Sequence, residues 1–267
     1  MTHPVSVQII TLNEEATIAA CLASVLATEP AEVIVIDGGS TDATVDIAKS
    51  MGVQVLTPGR LGRGASRRLG YHSASQPYSA MVDADDRIAE DWVEVSLREL
   101  RAGSYSGLQS RLRVVSPQSW WERGWDQYFL ESIKPVADTI MVGHPAIYVT
   151  KDLQESRDDI GHDHEDTQLS VDFQSRGLRQ GIGTAVSYRV CPNTRAENLY
   201  KWHFYGKGYR DFVDKHPDRR SAILKHMLIT IPFVRGWRPV ARGKFMQPVF
   251  ASVMAATILA GYLRHKR

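Results

Sequence analysis

Three carboxylates fall within four residues at Asp83-Ala84-Asp85-Asp86, directly after an apolar run. Such a cluster repels itself unless something cationic sits among its oxygens. Mg2+ and Mn2+ take oxygen ligands and commonly bridge protein carboxylates to a substrate diphosphate. A second acidic pair, Glu165-Asp166, stands far downstream in HEDTQLSVDFQSRG. A carboxylate there has the chemistry of a general base toward a hydroxyl. Shortly before the first cluster lies GRLGRGASRRLG, in which Arg60, Arg63, Arg67 and Arg68 are threaded through glycines and suited to phosphate oxygens. Carboxylates, a metal and arginines together fit a nucleoside diphosphate ligand. The Gly-rich stretch lacks the Gly-Lys-Ser/Thr ending of a phosphate loop, and no GxGxxG follows the first strand, so ATP hydrolysis and Rossmann dehydrogenation lose weight. Each cluster also has a plainer reading: Asn13 and Asp37 as turn or cap residues, 83–86 as a solvated loop, Asp166 as a helix-start charge.

These residues need a scaffold, and the chain order supplies one. Residues 5–12 (VSVQIITL) are a β-branched run, and residues 32–36 (EVIVI) are a second. Helical spacing of Ile18, Leu22, Val25 and Leu26 separates them; a helix over 42–51 and a strand over 53–56 follow. A further helix to Ala74 and a strand over 79–82 complete a series of parallel βαβ units with right-handed crossovers. In open parallel sheets ligands bind at the carboxyl ends of strands. Thr11-Leu12-Asn13-Glu14, Asp37-Gly38-Gly39-Ser40 and Asp83 to Asp86 all fall at such ends, lining one edge. Residues 103–190 mix strand-like runs with helices expected over 120–132 and 165–176, which predicts a mainly parallel α/β sheet extended by antiparallel strands.

The stretches VSVQIITLNEEATIAACLASV, EVIVIDGGSTDATVDIA and MVDADDR resemble the nucleotide-binding half of family 2 glycosyltransferases with the GT-A fold, and HEDTQLSVDFQSRG is similar to that family's acceptor-side acidic signature. The resemblance covers most of residues 5–190. It implies a Rossmann-like GT-A domain that uses a nucleotide sugar, most often of uracil, with Mg2+ or Mn2+, and inverts the anomeric centre. Carried across, Thr11, Asn13 and Glu14 would lie by the base and ribose, Asp37 would bond the base, and Arg63 would sit near the diphosphate. Asp83 and Asp85 match the DxD motif, with Asp85 the metal ligand foremost; Asp166 matches the catalytic base, with Glu165 as runner-up. His144 would approach the donor sugar, and Trp202 and Lys207 would cover donor or acceptor. One departure stands out: many members carry two aspartates where this chain has Asp37-Gly38.

The net charge of +2 hides a split. Residues 1–194 hold 26 acidic and 17 basic side chains; residues 195–267 hold 4 and 15, with no acid after Asp218. The expected organisation is a GT-A domain over 1–218, its nucleotide-sugar half over about 1–102 and its acceptor half over about 103–218, then a basic, apolar helical tail over 219–267. Residues 245–263 carry no charge, and three readings stay open: spanning, interfacial, or packed on the domain. Cys21 and Cys191 give no disulfide framework or metal spacing, and no secretory leader pattern precedes the first strand. The expectation is therefore an inverting transferase at the cytoplasmic face of the plasma membrane, peripheral or anchored, acting on a glycan or lipid-linked acceptor; partners include an anionic membrane surface and no nucleic acid. A sugar nucleotidyltransferase and a non-catalytic nucleotide-sugar-binding protein recruited to the membrane are the alternatives.

Overall fold

Val5, Val7 and Ile9 alternate along β1 (His3–Thr11) and are fully buried, as β-branched side chains on a covered pleated strand should be. The computed structural model describes residues 2–139, 142–156, 165–243 and 245–264. Among these, eight strands form one sheet in the order β3-β2-β1-β4-β7-β6-β8-β5. Its first four members, β3 (Gln54–Leu56), β2 (Pro30–Asp37), β1 and β4 (Tyr78–Asp83), run parallel. β7 (Ala146–Val149) pairs antiparallel with both β4 and β6 (Gly107–Val114), and β5 (Asp86–Ile88) pairs antiparallel with β8 (Gln180–Arg189). A parallel start extended by antiparallel strands is the predicted mixed sheet.

Helices cover both faces. Ala80, Val82 and Ile147 share one core with α1 (Ile18–Leu26), α2 (Thr44–Ser50) and α4 (Trp92–Ala102). Met81, Ala146 and Tyr148, one residue out of step, share the other with α3 (Arg63–Ser73), α6 (Thr150–Gln154) and α7 (Glu165–Ser175). That alternation is the period of two that a sheet imposes. Gly70 lets α3 lie close, since a Cβ there would stand 2.9 Å from Ile36 Cδ1 and 3.2 Å from Gln8 Cβ.

The chain divides into two compact units. The sheet unit comprises residues 1–113 and 134–190; the second comprises 114–133 and 191–267. The helical part is thus larger than a tail from 219, because it includes α8 (Arg195–Lys215) and α5 (Trp120–Ser132) with α9 (Arg220–Lys225) and α10 (Gln247–Arg264). Capping boxes start two of these helices: Ser119 with Glu122 opens α5, and Thr194 with Glu197 opens α8. Trp125, Trp202 and Phe250 pack with ring centroids 5.2–5.9 Å apart, and Trp125 Nε1 donates to Asn198 Oδ1 at 2.7 Å.

The uncharged run near the C-terminus forms α10, and its Phe250, Met254 and Ile258 are buried within this unit. No helix among the described residues is long and apolar enough to cross a membrane. α8 and α10 meet backbone to backbone: a Cβ on Gly206 would fall 2.0 Å from the Ile258 carbonyl oxygen, and one on Gly261 would fall 2.1 Å from that of His203. Gly206→Ala must push the helices apart, and overpacking of this kind costs about 1–3 kcal/mol. A lowered denaturation midpoint of purified protein is the expected result; an unchanged midpoint would show that the helices tolerate the separation.

Candidate active site

Strand pairing brings the three acidic and polar clusters to one edge. Thr11 is paired with Asp37 across β1 and β2, and Ile10 with Asp83 across β1 and β4. The turns that follow are tied to each other. Asn13, at φ 56°, accepts from Thr41 N at 2.8 Å and donates its own N–H to Ser40 Oγ at 2.8 Å. Glu14 N donates to Thr44 Oγ1 at 2.7 Å. The buried Asp37 carboxylate accepts from Gly39 N and Ser40 N, both at 3.0 Å, and from Thr11 Oγ1 at 3.3 Å. Gly39 needs its freedom here, at φ 100°. The plainer reading of Asn13 and Asp37 as turn-makers therefore holds alongside their place on the site's edge.

At the end of β4 the carboxylates of Asp83, Asp85 and Asp86 each offer an oxygen within 4.8 Å of the others. Two buried arginines enter this group. Arg67 donates from Nη2 to Asp83 at 2.6 Å and from Nε to Glu165 at 2.8 Å. Arg189 donates from Nη2 to Asp83 at 2.7 Å and to Asp86 at 2.6 Å, from Nε to Asp86 at 2.7 Å, and lies 3.7 Å from Asp85. Its Nη2 also donates to the His144 carbonyl at 3.2 Å.

Burial alone would discharge these groups, but mutual attraction decides otherwise. Burial works to lower the Arg67 pKa, yet Asp83 and Glu165 outweigh it and hold the guanidinium charged. Burial works to raise Asp83, and Arg67 with Arg189 overrides it, driving that carboxyl well below its ordinary range. Asp86 is the exception: burial pushes it up to about 7 despite the opposing pull of Arg189. Four carboxyl groups (Asp83, Asp85, Asp86, Glu165) face two guanidiniums, an excess of acid over base that suits a bound cation. The donors are all hard oxygens, which suits Mg2+ or Mn2+. Among the described residues Asp85 has only the long contact to Arg189 as an ion pair, so it is the member best able to turn toward a metal.

His144 sits in the same place. It is 7% exposed, and neither ring nitrogen has a hydrogen-bond partner among the described residues. Burial, with Arg67 and Arg189 adding to it against Asp83, holds the imidazole well below its ordinary pKa and hence neutral. Two buried, unsatisfied nitrogens ask for a polar ligand. Asp166 is half-buried at the start of α7, one Oδ accepting from Thr167 N at 2.7 Å and the other facing Gly143. Arg63 is exposed in the first turn of α3.

The sheet unit thus brings Asp83, Asp85, Glu165 and His144 together. Trp202, expected to cover the substrates, is instead fully buried in the aromatic cluster of the helical unit, where its indole fills a core. Lys207 is exposed on the same helix. Two residues escaped the site expected from sequence. Arg67 was grouped with Arg60, Arg63 and Arg68 as a phosphate ligand, although Gly64, Arg67, Gly70 and Tyr71 share the buried face of α3. Arg189 carries no local motif at all.

Asp83 and Asp85 should therefore answer differently to mutation. Asp83→Ala takes from Arg67 and Arg189 the carboxylate they share, and removing one partner of a buried pair costs about 3–5 kcal/mol. Asp85→Asn should leave the melting temperature nearly unchanged and weaken Mn2+ binding by about tenfold or more. Calorimetric titration with Mn2+ and thermal denaturation of both variants check this; equal stability losses would refute the division of labour.

A family model described as Glycosyl transferase family 2 matches residues 6–156. An uncharacterized glycosyltransferase of Rickettsia typhi is 26% identical over 221 residues, 78% of this chain and 71% of that protein. The lipopolysaccharide core biosynthesis glycosyltransferase LpsC of Rhizobium meliloti is 33% identical over 103 residues, 36% of this chain and 35% of its own length. An uncharacterized glycosyltransferase of Mycobacterium bovis is matched over about half its length, 49%. Glucosyl-3-phosphoglycerate synthase from Mycobacterium tuberculosis, crystallised with Mn2+, UDP and glucosyl-3-phosphoglycerate, superposes with a TM-score of 0.58 at 19% identity, over 79% of this chain and 78% of that one. S. aureus TarS 1-349 with UDP-GlcNAc gives 0.57 at 17%, over 98% and 89%. At such identities these two likenesses establish the shared GT-A type of fold. With more than half of its length matched by the family model, the chain belongs to glycosyl transferase family 2.

Proposed function

We propose that the protein is an inverting glycosyltransferase that moves a sugar from a UDP-sugar to a hydroxyl of a lipid-linked glycan or polysaccharide precursor, with Mn2+ or Mg2+ as cofactor. The observation that carries this reading is the Arg67 guanidinium shared by Asp83 and Glu165, which gathers the metal-type carboxylates and the Glu165-Asp166 pair into one site. Mn2+ and UDP in glucosyl-3-phosphoglycerate synthase, and UDP-GlcNAc in TarS, support the choice of cation and base. The lipopolysaccharide role named for LpsC supports a lipid-bearing acceptor.

Asp85 and Asp83 would hold the divalent cation, which when bound would supply positive charge to the diphosphate. Arg63, at the N-terminus of α3, adds its charge to that of the helix end. Asp166 takes the acceptor hydroxyl proton as the oxygen attacks the anomeric carbon; the bond from that carbon to the diphosphate breaks on the opposite face, and the centre inverts. The neutral His144 ring offers one N–H and one lone pair to sugar hydroxyls. Thr11, Asn13, Glu14 and Asp37 border the nucleoside.

The acceptor's lipid calls for a membrane surface, and the helical unit offers one by exposure and charge. Trp237 is 57% and Phe245 74% exposed, with Leu228, Ile229 and Val249 also exposed. Arg220, Lys225 and Arg238 are exposed in the same acid-free stretch. Trp and Phe among cations suit the interface of an anionic leaflet, where each Lys or Arg contributes about 1 kcal/mol. The protein would then lie peripherally on the cytoplasmic face.

Asp166→Asn should lower transfer by about a hundredfold to ten-thousandfold, the usual worth of a general base, while UDP-sugar plus Mn2+ still raises the melting temperature. Substantial turnover in that variant would remove Asp166 from the role. In flotation with vesicles containing phosphatidylglycerol, wild-type protein should rise with the lipid, and Trp237→Ser/Phe245→Ser should rise less. Wild type left at the bottom of the gradient with anionic vesicles would end the membrane reading.

A further inference from the structure

Arg67 touches both halves of the chemistry at once. Arg67 and Glu165 are each 6% exposed, and the guanidinium spans from Glu165 Oε1 to Asp83 Oδ1. Glu165 is the first residue of α7, and Asp166 is the second. Resting on the glycosyl-transfer reading above, we infer that Glu165 and Arg67 are positioning residues for Asp166: together they pin the first turn of α7 to the acidic cluster and fix where the base stands relative to the donor.

The argument is geometric and electrostatic. The Glu165 carboxylate accepts from Arg67 Nε at 2.8 Å in a buried site, where the guanidinium depends on such partners in place of water. Adjacent side chains on a helix point about 100° apart, so an anchored Glu165 directs Asp166 elsewhere. Its Oδ2 meets Gly143, where a Cβ would come within 3.7 Å of that oxygen and 3.3 Å of Gln109 Nε2. Gly143 N in turn donates to Gln109 Oε1 at 2.9 Å, which fixes the wall that Asp166 faces. On the other side, Asp83 is held by Arg189 as well as by Arg67, so the anchor point is itself immobile. Only a planar fork reaches two carboxylates in two directions with directed N–H groups; a lysine ammonium acts as a point charge.

The test uses the full-length protein with Glu165→Gln, which keeps the side-chain shape, and Arg67→Lys, which keeps the charge. Transfer kinetics with UDP-sugar and Mn2+, the pH profile of kcat, and hydrogen–deuterium exchange of the amides in 166–170 are measured on each. Glu165→Gln should lose about 10- to 100-fold in kcat, as loss of an orienting partner does, with donor KM changed by less than about threefold. Its pH profile should keep the limb set by Asp166, and exchange at the start of α7 should accelerate. Arg67→Lys should show the same faster exchange. Wild-type kcat and exchange in Glu165→Gln would overturn the inference, and so would loss of the acidic pH limb in that variant, which would make Glu165 the base. Wild type that turns over no UDP-sugar would instead sink the proposed function. The exchange measurement, which needs no turnover, still decides whether the bridge holds α7.

Discussion

A guanidinium taken out of water is tolerable only where carboxylates replace its hydration, and Arg67 and Arg189 meet that condition at the edge of the sheet. Much of the sheet unit's geometry serves this arrangement. α3 must lie close enough for its fifth residue to reach the end of β4, and Gly70 permits the approach. The pairing of β5 with β8 sets Asp86 directly opposite Arg189, so backbone register alone brings that ion pair together. α7 contributes only its first residue, yet that residue joins an element more than eighty positions downstream to the acidic cluster. The arginines hold the carboxyl groups in place while leaving acidic groups in excess of basic ones. The result is a preorganised site with a defined appetite for a divalent cation, rather than an acidic loop that would splay apart.

The remaining edge is built by a different device. Asn13, Glu14, Asp37, Ser40 and Thr44 bond to each other's backbone across the two turns that follow β1 and β2. Polar side chains that satisfy turn amides are structural and still leave their outer lone pairs along the strand ends, where ligands of parallel sheets sit. Choosing between a cap and a binding residue is therefore a false choice at these positions. Asp37-Gly38 in place of two aspartates is compatible with this, because one carboxylate already serves Gly39, Ser40 and Thr11 together.

What was legible in the sequence follows from how locally each feature is encoded. The βαβ order and the sheet edge could be read because hydrophobic period and strand-end composition are short-range signals, and so could Asp83 to Asp86 and Glu165-Asp166 as contiguous clusters. Arg67 and Arg189 could not, because their roles depend on partners 98 and 106 residues distant, set by strand register and helix packing. For Arg67 a weak signal existed in the glycines that mark the inner face of α3. Trp202 was misjudged for the complementary reason. Aromatic density along 200–206 is common to sugar sites and to cores, and only the presence of Trp125 and Phe250 around the indole distinguishes them.

The charge split takes its meaning from the two units rather than from a boundary near residue 218. The sheet unit holds 23 acidic and 16 basic side chains, the helical unit 7 and 16, net −7 and +9. The same division explains why a run of uncharged residues need not span a bilayer. α10 buries Phe250, Ala251, Met254, Ala255, Ile258, Gly261 and Tyr262 along one face, and α8 touches it at Gly206 and Gly261 with no side chain between the backbones. The buried face accounts for the large apolar side chains of the run, whatever solvent lies beyond it. What is left outside is a stripe through Val249, Ser252, Ala256 and Leu263, too small-sided for insertion by itself. Attachment to a leaflet would rest on Trp237 and Phe245, which lie outside the helix and whose burial in the unit is incomplete. Apolar length thus records helix packing here, whereas on the proposed reading it is the exposed aromatics and the cations of the same stretch that would meet a leaflet.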